Sequence, residues 1–387
     1  MYYCGIDVAK HTHTLLVIDE QGNTVQPAIT VRNDQNGMTE LKEALLPFKS
    51  ELHVGLEATG HYWLSVYDVL CHEEYQLTVI NPIQVHAYHR LDVRKRKTDR
   101  IDAFWIAQYL RFAHPSPTTL QLPDILQLRE LTRFRFHLTQ LIGDCKRKII
   151  CILDRIFPEY ETLFSNVFLQ TSRQLLQVAV SAEEFADFDL GELETLLQTS
   201  SRGRFGRDKA DEIRSAARNS IAVSFLSDAL KVETRCLLQQ MDLLQEQRSA
   251  IDAHIERFMS RIPQHITSIP GIGPTTAAML LAEIGDISRF PGPENLVAYA
   301  GIDPTVFQTG EFDGQRMHMS KRGSHYLRYA LWQAATASLL HNNELESYYR
   351  KKRSEGKPHG VAMGALCHKL LGRVYIVLKE NRPYVVH

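Results

Sequence analysis

Two stretches decide how this chain is read: residues 2–8, Tyr2-Tyr3-Cys4-Gly5-Ile6-Asp7-Val8, and residues 97–102, Lys97-Thr98-Asp99-Arg100-Ile101-Asp102. The first is a short apolar run with one acid near its end, which predicts a strand. The second opens a helix, because Ala103 to Leu110 keeps helical periodicity and holds no breaker. Helix positions i and i+3 share a face, so Asp99 and Asp102 point the same way. Like charges so placed repel by roughly a few tenths of a kcal/mol, and a divalent cation between them reverses that sign. A fourth acid, Glu57, follows the apolar run Val54-Gly55-Leu56. Asp7, Glu57, Asp99 and Asp102 are expected to meet as one acidic metal site.

Working outward, His13 to Asp19 reads as a second strand and Val25 to Val31 as a third. Glu20-Gln21-Gly22-Asn23 turns between them. Asn36 to Phe48 is helical in pattern, Leu52 to Leu56 is a buried strand, and His61 to Cys71 is a helix. Gln76 to Ile80 is another strand, closed by Asn81-Pro82. A three-strand meander followed by alternating strands and helices predicts a mixed α/β sheet. Acids on the first strand, a later strand and the final helix match the ribonuclease-H-like arrangement.

From about Gln127 the period changes. Leu128, Leu131, Leu138, Ile142, Cys145, Ile149, Ile152 and Ile156 recur at 3–4 spacing, with Arg135 on the seam, until Pro158. A second run carries Leu230, Leu237, Met241, Leu244, Ile251, Ile255 and Phe258, with Thr234 and Arg248 as seam exceptions. These long amphipathic helices fit an antiparallel hairpin, an intermolecular coiled coil, or core helices of a bundle. Between them, residues 160–225 read as shorter helices around an acidic stretch and the basic loop Ser201-Arg202-Gly203-Arg204-Phe205-Gly206-Arg207.

The chain has 387 residues, room for about two or three domains. Its 44% apolar and 23% charged content is that of a globular protein with a real core. No apolar run approaches the ~18–20 residues of a membrane span, and the N-terminus lacks the pattern of a signal peptide. The six cysteines are scattered without a C-x-x-C, which argues against zinc or a disulfide framework and suits a reducing cytoplasm. A net charge of −1 excludes a globally basic nucleic-acid binder but conceals basic patches at His89–Arg100, Arg316–Arg328 and Arg350–Arg353. Arg94, Lys95, Arg96 and Lys97 stand beside the acids, where they would hold a nucleic-acid backbone. No nucleotide-binding P-loop is present.

Further on, Pro270-Gly271-Ile272-Gly273-Pro274-Thr275 is a tight turn ahead of an amphipathic helix. Small residues there let backbone N–H groups approach a phosphate, with Gly271 and Gly273 at the contact. The bland reading is a packing joint between helices. Gln308-Thr309-Gly310 and Met319-Ser320-Lys321-Arg322-Gly323-Ser324 follow, ahead of a helix with Arg328. A hydroxyl residue beside glycine, with Lys321, Arg322 and Arg328 to neutralise non-bridging oxygens, is a constellation for attack on phosphate.

These motifs, GIDVAK, GLEATGHYW and KTDRIDA, then IPGIGPTTAAMLLAEIGDISRF, AYAGIDP and MSKRGSHYLRYALW, run through nearly the whole chain. Together they resemble the DEDD transposases of the insertion sequence 110 family. The resemblance implies a RuvC-like catalytic domain (1–118), a coiled-coil helical domain (119–262) and a mostly helical C-terminal transposase domain (263–387) with a helix-hairpin-helix-like turn. It implies Mg²⁺ on the four acids, recombination of donor and target double-stranded DNA, and a structured guide RNA encoded beside the gene. It also implies a composite site, in which acids of one subunit act beside a C-terminal serine nucleophile of another, and with the coiled-coil helices this split site suggests a homodimer assembling to a tetramer. The setting would be the bacterial cytoplasm, at the nucleoid, without a membrane. This sequence departs from the family at that serine: Thr309 stands in its place, its β-methyl stiffening χ1. Three readings follow: Thr309 is the nucleophile, Ser320 or Ser324 substitutes, or the copy is impaired. Two other classes compete: a metal-dependent nuclease or junction resolvase acting by hydrolysis, and a non-catalytic nucleic-acid-binding scaffold.

Overall fold

The computed structural model describes residues 1–58, 60–82, 84–85, 98–118, 123–304, 308–309, 312–313 and 318–385; at 308, 309, 312 and 313 it describes backbone only. The chain divides into two compact units, Met1–Leu120 and Gln121–His387.

The first unit is built on a five-stranded mixed sheet. Its strands are β1 (Tyr2–Val8), β2 (Thr12–Ile18), β3 (Thr24–Arg32), β4 (Leu52–Glu57) and β5 (Gln76–Ile80), in spatial order β3-β2-β1-β4-β5. The meander is antiparallel, and β4 and β5 add in parallel beside β1. This architecture fits the ribonuclease-H-like expectation. Strand periodicity sorts the side chains. Cys4, Ile6, Val8, Val54 and Leu56 pack under α1 (Gln35–Leu45) and α2 (Trp63–His72). Tyr3, Leu16 and Ile18 pack on the other face with Ala103, Ile106, Ala107 and Leu110 of α3 (Asp99–Ala113). Helix α1 starts at Asp34, whose carboxylate accepts from the Gly37 N–H at 2.9 Å. It stops at Leu45 rather than Phe48, because Pro47 draws the next six residues into a 3₁₀ turn.

In the second unit, α4 (Pro123–Ile156) is followed by α5 (Gln170–Val178), α6 (Ala182–Asp187), α7 (Leu190–Ser201), α8 (Arg207–Arg218) and α9 (Ser227–Met259). Helices α4 and α9 are each about 50 Å long at 1.5 Å per residue. They run antiparallel within the chain: Arg135 meets Asp252, Cys145 meets Gln240, and the Arg155 carbonyl meets the Val223 N–H. Two of the three seam exceptions, Arg135 and Thr234, have partners. Arg135 donates to Asp252 at 2.5 Å, and the Thr234 hydroxyl donates to the Leu230 carbonyl at 2.8 Å. The shorter helices close one end over Phe157, Tyr160 and Phe185, all fully buried.

The remaining helices are α10 (Pro274–Ile284), α11 (Pro293–Ala300), α12 (His325–His341), α13 (Asn343–Ser354) and α14 (His359–Glu380). Two short strands, β6 (Gln308–Thr309) and β7 (Phe312–Asp313), pair antiparallel. By length and mean hydropathy α14 could cross a membrane, which the run-based sequence reading did not register. Its Met363, Leu366, Leu370, Leu371 and Val374 are buried in this core, as in a core helix. All six cysteines are free.

Candidate active site

The sheet and α3 carry all four acids to one edge. Gly5 and Gly55 are register neighbours on β1 and β4. A Cβ on Gly5 would lie 1.9 Å from the Ala103 carbonyl oxygen, and one on Gly55 would lie 2.9 Å from Ile106 and Leu110. Helix α3 therefore rests on bare backbone. Its C-terminal end lies at the start of β1, where His114 meets Tyr3 with ring centroids 6.3 Å apart. Its first turn thus lies toward the strand ends. Asp7 and Glu57 are each two residues beyond those glycines, on the same face. Thr98 caps α3, and Asp99, exposed, and Asp102, half-buried, occupy its first turn. The shared edge is the carboxyl end of parallel strands, where open α/β sheets place ligands.

The four acids share an edge without closing on a common point. Among the described residues, no group of three or more His, Cys, Asp or Glu is placed to hold one ion. The N-terminus of α3 offers Asp99 and Asp102 a positive partner. In donor chemistry the set fits a hard cation such as Mg²⁺: four carboxylates, with no thiolate or imidazole. Arg94, Lys95, Arg96 and Lys97 lie outside the described residues.

In the second unit, β6 places Thr309 opposite Phe312. Pro304 and Met319 form a separate antiparallel bridge. Beside it, the Ser320 hydroxyl donates to the Asp303 carboxylate and the Ser320 N–H to the Asp303 carbonyl at 2.9 Å. Gly323 is tight against the Tyr299 carbonyl, where a Cβ would stand at 1.9 Å. Ser324 caps α12, accepting from Leu327 N–H at 3.2 Å, and donates to Glu283 at 2.7 Å. AYAGIDP and MSKRGS are thus two halves of one clamp, with both serines as its pins. Lys321 and Arg322 stand exposed between them. Arg328 has a structural partner: it donates to the Ala300 carbonyl at 2.9 Å, at the C-terminal end of α11, and burial lowers its pKa.

Gly271 also gains a structural reason. It has φ +96°, and a Cβ there would lie 2.4 Å from the Ser338 hydroxyl and 2.6 Å from its Cα. This is the packing joint, between the turn and α12. Gly273 differs: it is exposed, a Cβ would meet nothing within 4 Å, and it precedes α10, whose first N–H groups have no side-chain cap.

One centre escaped the sequence reading. Glu283 in α10 is 1% exposed and takes a two-pronged pair from Arg133 of α4, at 2.7 and 3.1 Å. The same carboxylate accepts from Ser324. The Arg133 guanidinium lies 4.7 Å over the Tyr326 ring, and Phe136 packs on His325, Tyr326 and Tyr329. The available signal was a lone acid in the otherwise uncharged run Ala277 to Ile284, every residue of which is buried.

Residues 4–158 match the DEDD transposase family of IS110-type elements, described as "Transposase", and residues 263–350 match the "Transposase IS116/IS110/IS902 family". Similar curated proteins include the pilin gene-inverting protein of Moraxella bovis, 25% identical over 99% of this chain and 97% of its own. A Streptomyces coelicolor protein named for the IS117 mini-circle is 26% identical over 99% and 95%. The IS110 43.6 kDa protein of the same organism is 26% identical over 74% and 72%.

Proposed function

The chain belongs to the IS110 family of transposases, and from that premise we propose that it is a site-specific DNA recombinase that cleaves and exchanges strands through its acidic edge and a C-terminal hydroxyl. What supports the reading is that the seat of α3 on Gly5 and Gly55 puts the first turn of that helix toward the strand ends where Asp7 and Glu57 stand. These carboxylates would hold Mg²⁺, which polarises a scissile phosphate and stabilises the leaving oxygen.

The nucleophile we assign is Thr309. Its hydroxyl oxygen attacks phosphorus, an Oγ–P ester forms, one backbone P–O ester breaks, and the departing sugar oxygen takes up a proton. The Thr309 proton passes to solvent or to a carboxylate. Ser320 and Ser324 are disfavoured because their hydroxyls already donate to Asp303 and Glu283. Lys321 and Arg322, exposed on the pinned loop, would meet the non-bridging oxygens. Gly273 and the uncapped start of α10 offer N–H groups to a backbone phosphate. Arg94, Lys95, Arg96 and Lys97 would hold nucleic acid near the acids. The targeting partner is a structured guide RNA encoded by the element, and the working assembly is a dimer of this chain paired into a tetramer.

The test uses purified full-length protein with guide RNA and donor and target duplexes. Asp7→Asn and Asp102→Asn should each abolish recombinant product and the denaturant-resistant protein–DNA adduct while leaving duplex binding within about two-fold. Recombination that survives both substitutions removes the acidic edge from the reaction. Free DNA ends without an adduct identify a hydrolytic nuclease instead.

A further inference from the structure

The reaction proposed above leaves the basic loop between α7 and α8 unused. Helix α7 ends in Arg202, whose backbone is left-handed (φ 55°), and Gly203 follows at φ 80°. The loop is fixed: Gly203 N–H donates to the Gln198 carbonyl at 2.8 Å, and Phe205 N–H to the Ser201 hydroxyl at 2.8 Å. Its tip is open, since a Cβ on Gly203 would meet nothing within 4 Å. Arg207, Arg214 and Arg218 continue along one side of α8, at i, i+7 and i+11, while Ala210, Ile213 and Ala217 are buried. Arg207 is paired with Glu194 and Asp211. Among the described residues, Arg202, Arg204, Arg214 and Arg218 have no ion-pair partner in the chain.

We propose that Arg202, Arg204, Arg214 and Arg218 form a binding surface for the phosphate backbone of duplex DNA, remote in sequence from the reacting groups. On the helix, Arg214 and Arg218 stand one turn apart, about 6 Å along its axis, comparable to about two steps of a DNA strand at ~3.4 Å each. Asp211 on the same side of the helix is engaged by Arg207, and guanidiniums without an ion-pair partner suit contact with phosphate oxygens. The one ring in the loop, Phe205, lies beneath Arg204 at 5.3 Å and Lys209 at 5.9 Å. Phe164 also packs on it edge-to-face at 6.1 Å, so the ring is engaged within the chain rather than held out for a stacked base, which favours duplex over single strands. The surface serves the recombinase reading by holding the DNA duplex through sequence-independent contacts.

The experiment measures binding of a labelled mixed-sequence DNA duplex to the full-length chain from about 50 to about 200 mM salt. Arg202→Gln with Arg204→Gln should weaken binding about ten-fold at the upper salt and flatten the slope of log K against log salt by about 2. Arg214→Gln with Arg218→Gln should do the same, and Arg202→Lys with Arg204→Lys should keep the slope. Unchanged affinity and slope in both glutamine pairs, with wild type binding DNA, overturns the surface and leaves the recombinase reading standing. Wild-type protein that binds no duplex DNA on its own also overturns the surface, and failure to bind DNA with the guide RNA present overturns the recombinase reading itself. An effect confined to an RNA duplex of the same sequence, or to self-association, also overturns the proposal. Unchanged melting temperatures show that each variant is folded.

Discussion

Thr309 carries its hydroxyl on a branched carbon, and branching restricts χ1 and crowds in-line approach to phosphorus. If Thr309 is the nucleophile, Thr309→Ser relieves that crowding and should raise the rate of adduct formation several-fold. Thr309→Ala should lower it by at least ~10³, as loss of a covalent nucleophile does. Retention of full strand exchange by the alanine variant sinks the assignment. Glu283 makes a different demand. Removing one partner of a buried ion pair costs about 3–5 kcal/mol, because the other charge stays desolvated. Arg133 retains 38% exposure, so Glu283→Gln should cost less, roughly 2–3 kcal/mol. Pairing Glu283→Leu with Arg133→Leu should recover much of that loss, since no charge is then stranded. Chemical denaturation reads both. Equal stability of wild type and Glu283→Gln would show that the pair contributes nothing net.

At the scale of elements, the seat of α3 is the feature on which the site depends. Gly5→Ala puts a methyl within 1.9 Å of the Ala103 carbonyl oxygen, so helix and strand must part. Because Asp99 and Asp102 ride on that helix, the expected result is destabilisation together with loss of strand exchange. Gly372 in α14 supplies the contrast: a Cβ there meets nothing within 4 Å. Gly372→Ala should stabilise the chain by about 0.5–1 kcal/mol and leave activity alone. Thermal melting of the two variants should therefore move in opposite directions. The strands and long helices were legible in the sequence because two-residue and 3.6-residue periods are local properties of the chain. That Asp7, Glu57, Asp99 and Asp102 stand at the ends of strands and of a helix was legible for the same reason, and their joint role is the proposal. Gly271 was not, because its reason is Ser338, far along the chain and invisible to any local pattern. The pairing of Glu283 with Arg133 across 150 residues was hidden in the same way. The competition at Ser320 and Ser324 became visible only when the partners Asp303 and Glu283 were known.

For the molecule as a whole, the two compact units meet acid differently, because the first buries two histidines within its sheet. His13 on β2 is 0% exposed and His53 on β4 is 4% exposed, its Nε2 2.7 Å from the Thr78 hydroxyl. Burial lowers the pKa of both below the ordinary ~6.5. The sign follows from proton counts. Below about pH 6.5 the unfolded chain binds protons at these positions that the folded chain does not. Stability therefore increases with pH across that window. It is fully present above ~6.5 and is lost as pH falls toward the folded values, at up to about 1.4 kcal/mol per pH unit for each histidine. Melting the full chain at a series of pH values from about 8 to about 5 should show the transition of the first unit falling to lower temperature below ~6.5. His53→Gln keeps a hydrogen-bonding group beside Thr78 but cannot titrate, so it should flatten that fall by up to half. An identical pH slope in wild type and His53→Gln would remove His53 as a source of acid sensitivity. It would also leave the edge that carries Asp7 and Glu57 no less stable at pH 5.5 than at pH 7.5 on account of that residue. If the slope does flatten, recombination by the wild-type chain should decline over the same interval and decline less in His53→Gln. On the proposed reading, the acids meet their substrate only while the strands that present them stay folded.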